Sequence, residues 1–99
     1  MNEISGTDLS RYDSFRRILA QRGAKVHAFE SNLEAMEAVN LMDTAITLGD
    51  EVLSLARDSR LSVERAEALL LDLIECFVDP IAHSRQLIEI GKELRELKA

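Results

Sequence analysis

Hydrophobic positions recur every seven residues between Ala38 and Asp58, in three consecutive blocks that read AVNLMDT, AITLGDE and VLSLARD. The first position of each block is small or β-branched, the second is aliphatic, the third is a small polar residue and the fourth is always leucine. A seven-residue period is typical of a helix that packs lengthwise along other helices. The pattern therefore predicts a long α-helix in the middle of the chain.

The apolar face of this helix is broad, and small side chains lie along its centre. At about 100° per residue the apolar positions from Ala38 to Ala56 cover roughly 200° of the helix surface, more than the narrow seam of a two-stranded coiled coil. We therefore expect at least two neighbouring helices, and we predict a protein interface on this face. The alternative is that the chain's own helices cover the face completely. The predicted interface residues are Leu41, Ala45, Leu48, Gly49, Val52, Leu55 and Ala56.

The start of the long helix is ambiguous, whereas its end is expected near residue 57. Apolar residues at helical spacing continue upstream to Val26, which favours a start near Ala24. Ser31 and Glu34 form an S-x-x-E capping box, which favours a start at Ser31. Both boundaries remain open at the level of the sequence.

A short basic helix is expected before the long one, over residues 7–22, after a flexible tail over residues 1–6. Thr7 or Asp8 can cap this helix, and Gly23 is suited to end it. Its apolar stripe is narrow and is surrounded by arginines, so we expect the helix to dock through one edge.

Two further helices are expected after the long one, over residues 62–78 and 80–98. Ser62 can cap the first of them, and Asp79 with Pro80 interrupts the pattern that follows. Beyond Pro80 the apolar stripe points roughly 100° away from its earlier direction on a helical wheel. Either a kink or a new helix at Pro80 would account for this change.

These patterns predict an all-α fold in a single domain over residues 1–99. The architecture is a small bundle of about four helices, two of them long and antiparallel, and we expect dimerisation to complete it. The chain is 46% hydrophobic and 30% charged, which is the balance of a globular rather than a disordered protein.

Charge is distributed unevenly along the chain, whose formal net charge is −6. Residues 1–29 carry five Lys or Arg against three acids, whereas residues 30–99 carry seven against fifteen. No Lys or Arg occurs from Val26 through Ala56, a stretch with six acids. This balance argues against nucleic-acid binding. A basic head and an acidic body could complement each other in an oligomer, or the acidic body could bind a basic partner.

Signatures of catalysis and of metal binding are missing. There is no G-x-x-x-x-G-K-[ST], G-x-G-x-x-G, H-E-x-x-H or C-x-x-C motif. Cys76 is the only cysteine, so it forms no intramolecular disulfide, and we interpret it as a half-buried structural thiol. Asp79 and His83 would share a helical face, which we interpret as an ion pair or a cap. We therefore predict no catalytic, cofactor-binding or metal-binding residues, and no cofactor.

The chain is expected to act in the cytoplasm. The N-terminus has neither the basic nor the apolar region of a secretory signal, and no apolar run approaches the roughly 18 residues that cross a bilayer. We therefore expect no membrane contact.

Protein contact remains as the predicted function. We expect a non-enzymatic regulator, inhibitor or adaptor that buries an apolar helix face against a partner protein, with homodimerisation also expected. A structural homodimer, an assembly subunit or a secretion-type chaperone is the alternative, and an enzyme of unknown type is a third. Met36 and Met42 could adapt to a partner, although methionine more often fills a core.

Overall fold

The computed structural model describes residues 9–23 and 31–98, in which four α-helices follow one turn of 3₁₀ helix. No β-strand occurs in these residues, so the prediction of an all-α fold is confirmed. None of the helices within them is long and apolar enough to span a membrane. The 3₁₀ turn is Ser10–Tyr12, and the helices are α1 (Phe15–Arg22), α2 (Asn32–Arg57), α3 (Val63–Val78) and α4 (Ser84–Lys98).

Helix α2 begins at Asn32 because Ser31 caps it. The backbone of Ser31 is extended, and its Oγ accepts a hydrogen bond of 3.1 Å from the Glu34 backbone N–H. This bond satisfies one of the amide groups that lack a partner in the first turn of a helix. The alternative start near Ala24 falls in residues 24–30, which lie outside the described residues.

Helix α2 ends in a Schellman motif. The Arg60 N–H donates to the Leu55 carbonyl at 2.9 Å, and the Ser59 N–H donates to the Ala56 carbonyl at 3.1 Å. Such a motif needs a left-handed residue directly after the helix cap, and glycine usually occupies that place. Here Ser59 adopts the left-handed conformation, with φ of 61°, so this turn carries backbone strain.

The first and last helices are shorter than the sequence patterns indicate. Residues 7–22 were expected to form one helix, but the Asp13 N–H closes a 3₁₀ turn on the Ser10 carbonyl, and α1 begins only at Phe15. Ser and Asp stabilise non-helical backbone through local hydrogen bonds, which explains the interruption. The caps proposed at Thr7 and Asp8, like the tail over residues 1–6, lie outside the described residues.

The last helix begins at Ser84 rather than at residue 80, so Pro80 separates two helices instead of kinking one. Residues 79–83 form turns, in which the His83 N–H reaches the Asp79 carbonyl at 3.3 Å. Pro80 is buried in this turn and has no N–H to donate to the preceding helix. The turn gives the chain room to redirect the apolar face of α4, as the shifted stripe beyond Pro80 requires.

The apolar face of α2 forms the centre of the core. Helix α3 makes the most extensive contact with it, and α4 and α1 cover its remaining width. Small and branched residues allow this close approach: Ala45 and Val52 of α2 and Ala66 of α3 have no exposed surface. The other fully or almost fully buried side chains are mostly leucines, namely Leu19, Leu69, Leu70, Leu73, Leu87 and Leu94.

Helix α1 docks on α2 at Gly49. The ring of Phe15 occupies the space where a side chain at position 49 would lie, and a Cβ added there would overlap three atoms of the ring. Phe15 is buried, so its ring has little room to move aside. A glycine inside a helix is less favourable than alanine by about 1 kcal/mol. The space that the Phe15 ring needs explains why glycine occupies position 49.

We predict that Gly49→Leu destabilises the protein strongly, whereas Thr47→Leu changes its stability little. The leucine at position 49 must displace Phe15, and overpacking of this kind costs about 1–3 kcal/mol or more. Thr47 is exposed on the opposite side of α2, where a substitution is expected to change the free energy of unfolding by less than about 0.5 kcal/mol. Urea unfolding of both variants measures the difference, and equal losses would contradict the assigned faces.

We also predict that Ser59→Gly stabilises the protein by about 0.5–1 kcal/mol, because glycine adopts the left-handed conformation without the steric cost of a Cβ. The matched control is Ser54→Gly, an exposed site inside α2, where the same substitution is expected to destabilise by about 0.5 kcal/mol. Opposite shifts in the urea midpoint are the expected result. Loss of stability in both variants would show that Ser59 is unstrained.

Candidate interaction surface

The predicted interface residues lie inside the chain's own bundle. Five of the seven are buried, and the other two, Leu41 and Ala56, are half-buried and pack against the same core. In this structure the face is covered by α1, α3 and α4 of the same chain. The five buried residues are Ala45, Leu48, Gly49, Val52 and Leu55.

A different apolar surface is exposed, at the start of α2. We call residues 32–40 the α2 arm: Ala38 is its one buried residue, and none of the nine belongs to the main core cluster or packs against that cluster. Leu33 is 76% exposed, Met36 is 62% exposed and Val39 is 63% exposed. They are spaced three residues apart, so their side chains are neighbours on the helix surface. The α2 arm therefore presents one continuous apolar strip instead of isolated residues.

The sequence contains a signal for this strip that the seven-residue pattern hides. Leu33 precedes Glu51 by eighteen residues, which is five helical turns, so the two lie in the same sector of α2. That sector is otherwise polar, and it also holds Asn40 and Thr44. An apolar side chain within a polar stripe indicates an exposed position. The regular spacing from Val26 to Met36 indicates a helix, but it does not show which of these residues are exposed.

Carboxylates on and beside the α2 arm have no basic partner among the described residues. Glu37 and Asp43 are exposed, Glu34 is half-buried, and none of them forms an ion pair there. Farther along α2, Asp50 and Glu51 do pair, with Arg16 at 2.8 Å and Lys98 at 3.1 Å. The negative charge of α2 is thus left unneutralised mainly at the end that carries the apolar strip.

The basic N-terminal part of the chain pairs with the acidic body of the same molecule. Arg11 forms an ion pair with Glu67 of α3, and the Tyr12 hydroxyl donates to the same carboxylate at 3.3 Å. The Arg11 guanidinium also lies 5.1 Å from the centre of the Tyr12 ring, within the range of a cation–π interaction. Part of the charge complementarity seen in the sequence is therefore satisfied within one chain, by Arg11 here and by Arg16 with Asp50.

Helix α4 is held to α3 by a bidentate pair. The Arg65 Nε donates to Glu93 Oε2 at 2.9 Å, and an Arg65 terminal nitrogen donates to Glu93 Oε1 at 2.6 Å. The hydrogen bonds from Arg65 lower the pKa of Glu93. Because both side chains are partly exposed, solvent screening limits such a pair to about 1 kcal/mol or less. The pair therefore adds little to the stability that the buried residues of α4 supply.

A groove between α2 and α4 is a second surface feature. It has a volume of about 450 Å³, and its apolar floor includes Leu48, Leu87 and Gly91. Its edge carries charges of both signs, since Glu51 and Lys98 pair across it. The groove lacks the single-signed charge that accompanies the α2 arm, so it is the less distinctive of the two surfaces.

The environment of Cys76 is that of a buried structural thiol. It has no exposed surface, and its Sγ donates to the His83 carbonyl at 3.7 Å. Burial raises the pKa of the thiol to about 11, and Asp72 and Glu75 add to the shift. The His83 ring contacts the backbone carbonyl of Asp79 at 3.0 Å instead of the thiol. The described residues also contain no group of His, Cys, Asp and Glu side chains that could hold a metal ion.

We predict that Cys76 in the folded protein reacts with iodoacetamide at pH 8 at least about 100-fold more slowly than in urea. Raising a thiol pKa from about 9 to about 11 lowers its thiolate fraction by that factor, and burial restricts access further. The control is Glu75→Cys combined with Cys76→Ala, which moves the thiol to an exposed neighbouring site. That variant should react at similar rates with and without urea. Rapid labelling of folded Cys76 would contradict the buried position.

Comparison with protein-family models, with curated proteins and with solved structures found no match. The function must therefore be argued from the chemistry of the surface. The feature that combines exposed apolar residues with unpaired charge is the α2 arm, which is the candidate functional site.

Proposed function

We propose that this chain is a non-enzymatic cytoplasmic interaction module. It acts as a regulator, an inhibitor or an adaptor by burying the α2 arm against a partner protein. The observation that carries the proposal is the exposed strip of Leu33, Met36 and Val39. Single exposed apolar residues are common on protein surfaces and need no explanation. A contiguous strip rimmed by polar residues is instead typical of an interaction site.

Burial of the strip would contribute favourable free energy to association with a partner. Removing a large aliphatic side chain from water contributes about 1.5–3 kcal/mol, so the three residues together supply several kcal/mol before the costs of association. Methionine suits this role because its unbranched side chain adapts to different partner shapes. The contact that we propose is centred on Met36, the middle residue of the strip.

A structural role is the competing function. In a homodimer or an assembly subunit, a second copy would cover the α2 arm, with the long helices antiparallel across a two-fold axis. A secretion-type chaperone would use the same strip on a client protein. The oligomeric state of the isolated protein separates these self-associating roles from a regulator and from a chaperone, because a strip covered by a second copy needs no other protein.

We predict that Met36→Glu abolishes capture of the partner from native cell extract without changing the melting temperature. The glutamate places a charge in the centre of the strip, whereas position 36 contributes nothing to the core. The matched control is Leu71→Glu, which introduces the same residue at a half-exposed leucine on α3 and should preserve capture. Quantitative affinity capture and thermal unfolding measure these effects.

Three outcomes would contradict this interaction. Equal capture by both variants would remove the α2 arm from the interface. Equal loss in both would point to a nonspecific effect of charge. A wild-type homodimer in sedimentation velocity that Met36→Glu converts to monomers, with no captured protein, would establish the structural role instead.

A further inference from the structure

We propose that the element which covers the α2 arm is a basic amphipathic helix of another protein, whose apolar residues are flanked by Lys or Arg. This inference rests on the proposed function and names the class of partner that the arm selects. Three observations support it. Carboxylates lie beside the strip, α2 already packs against the basic helix α1, and two copies of the arm would bring like charges together.

The strip and the carboxylates interleave on the helix surface. Glu37 lies four residues beyond Leu33, and Asp43 lies four residues beyond Val39, a spacing at which side chains are neighbours on a helix. Both carboxylates are exposed and unpaired among the described residues. No Lys or Arg lies between Ser31 and Ala56 to neutralise them. A ligand that covers the strip therefore meets Glu37 beside the strip and Asp43 at its C-terminal end.

Helix α1 shows how α2 accepts a basic helix. The segment FRRILAQR carries three arginines and no acid. Its apolar residues Phe15 and Leu19 are buried, and Arg16 donates to Asp50 of α2 at 2.8 Å. The same combination, with apolar residues inward and arginine on a carboxylate of α2, would suit the α2 arm. There the residues equivalent to Asp50 are Glu37 and Asp43, which have no such partner among the described residues.

A second copy of the chain is a poorer occupant. Antiparallel pairing of two α2 arms would cover both strips, but each copy would bring Glu34 and Glu37 of its arm and Asp43 just beyond it, and residues 32–43 contain no Lys or Arg. Like charges across an interface oppose association. A partner helix with lysines or arginines at its flanks converts the same carboxylates into attractive contacts, so charge complementarity favours a basic helix over self-association.

The test uses the full chain, labelled with ¹⁵N, and a fluorescent Leu–Lys peptide of about 16 residues, a length that covers the arm when helical. We expect the peptide to shift the amide signals of residues 32–43 and its dissociation constant to rise several-fold between about 50 mM and about 300 mM salt. A Leu–Glu peptide of the same pattern should not bind.

Reversing the charge of the carboxylates beside the strip tests whether the peptide binds at the α2 arm or is attracted to the acidic protein in general. Glu37→Lys with Asp43→Lys is expected to raise the dissociation constant of the Leu–Lys peptide at least about 10-fold. The matched control is Glu75→Lys with Glu96→Lys, which makes the same change in net charge at exposed sites on α3 and α4. That control should change the dissociation constant by less than about two-fold. Thermal unfolding verifies that both double variants are folded.

Three results would overturn the inference. Equal weakening by the two double variants would indicate general attraction to an acidic protein. Binding of the Leu–Glu peptide as tight as that of the Leu–Lys peptide would show that charge does not select the ligand. If Met36→Glu abolishes capture of the native partner and Glu37→Lys with Asp43→Lys does not, the proposed function stands and the basic helix is rejected.

Discussion

Gly49 leaves α2 without a side chain at the point where the ring of Phe15 packs, and the arrangement of the bundle depends on this contact. Helix α1 has only eight residues, too few to be stable alone in water. It persists because Phe15 and Leu19 are buried against its neighbours and because Arg16 reaches Asp50. The broad apolar face of α2 is thereby covered by three helices of one chain, and its small central residues set how closely they approach.

The sequence was sufficient for the fold class and for several local features, since these depend on interactions a few residues apart. The hydrophobic period predicted α2, and the Ser31 cap follows from a hydroxyl and a glutamate three residues apart. The turn at Pro80 was less accessible. Whether a proline kinks one helix or separates two depends on where the next helix must pack, which is a property of the tertiary structure.

The candidate site was harder to predict than the fold. A periodic apolar face shows that a helix is covered, but it does not show whether the cover comes from the same chain or from another. Of the seven residues predicted as an interface, five are buried inside the bundle, Leu48 and Val52 among them, and the other two are half-buried at its edge. The surface that remained exposed lies where the period fades, at Leu33 and Met36. Departures from a hydrophobic pattern thus indicate exposed apolar surface, which the pattern itself does not reveal.

The sealed position of Cys76 has a consequence for how this protein behaves in oxidising solution. The Cys76 thiol has no contact with solvent, and its raised pKa keeps it protonated at neutral pH. It therefore cannot attack a disulfide or be cross-linked while α3 and α4 stay packed around it. Covalent dimers on a non-reducing gel would then come only from molecules whose α3 and α4 had separated. Such a band would report how often the chain opens, and it should not be taken as a sign of physiological pairing.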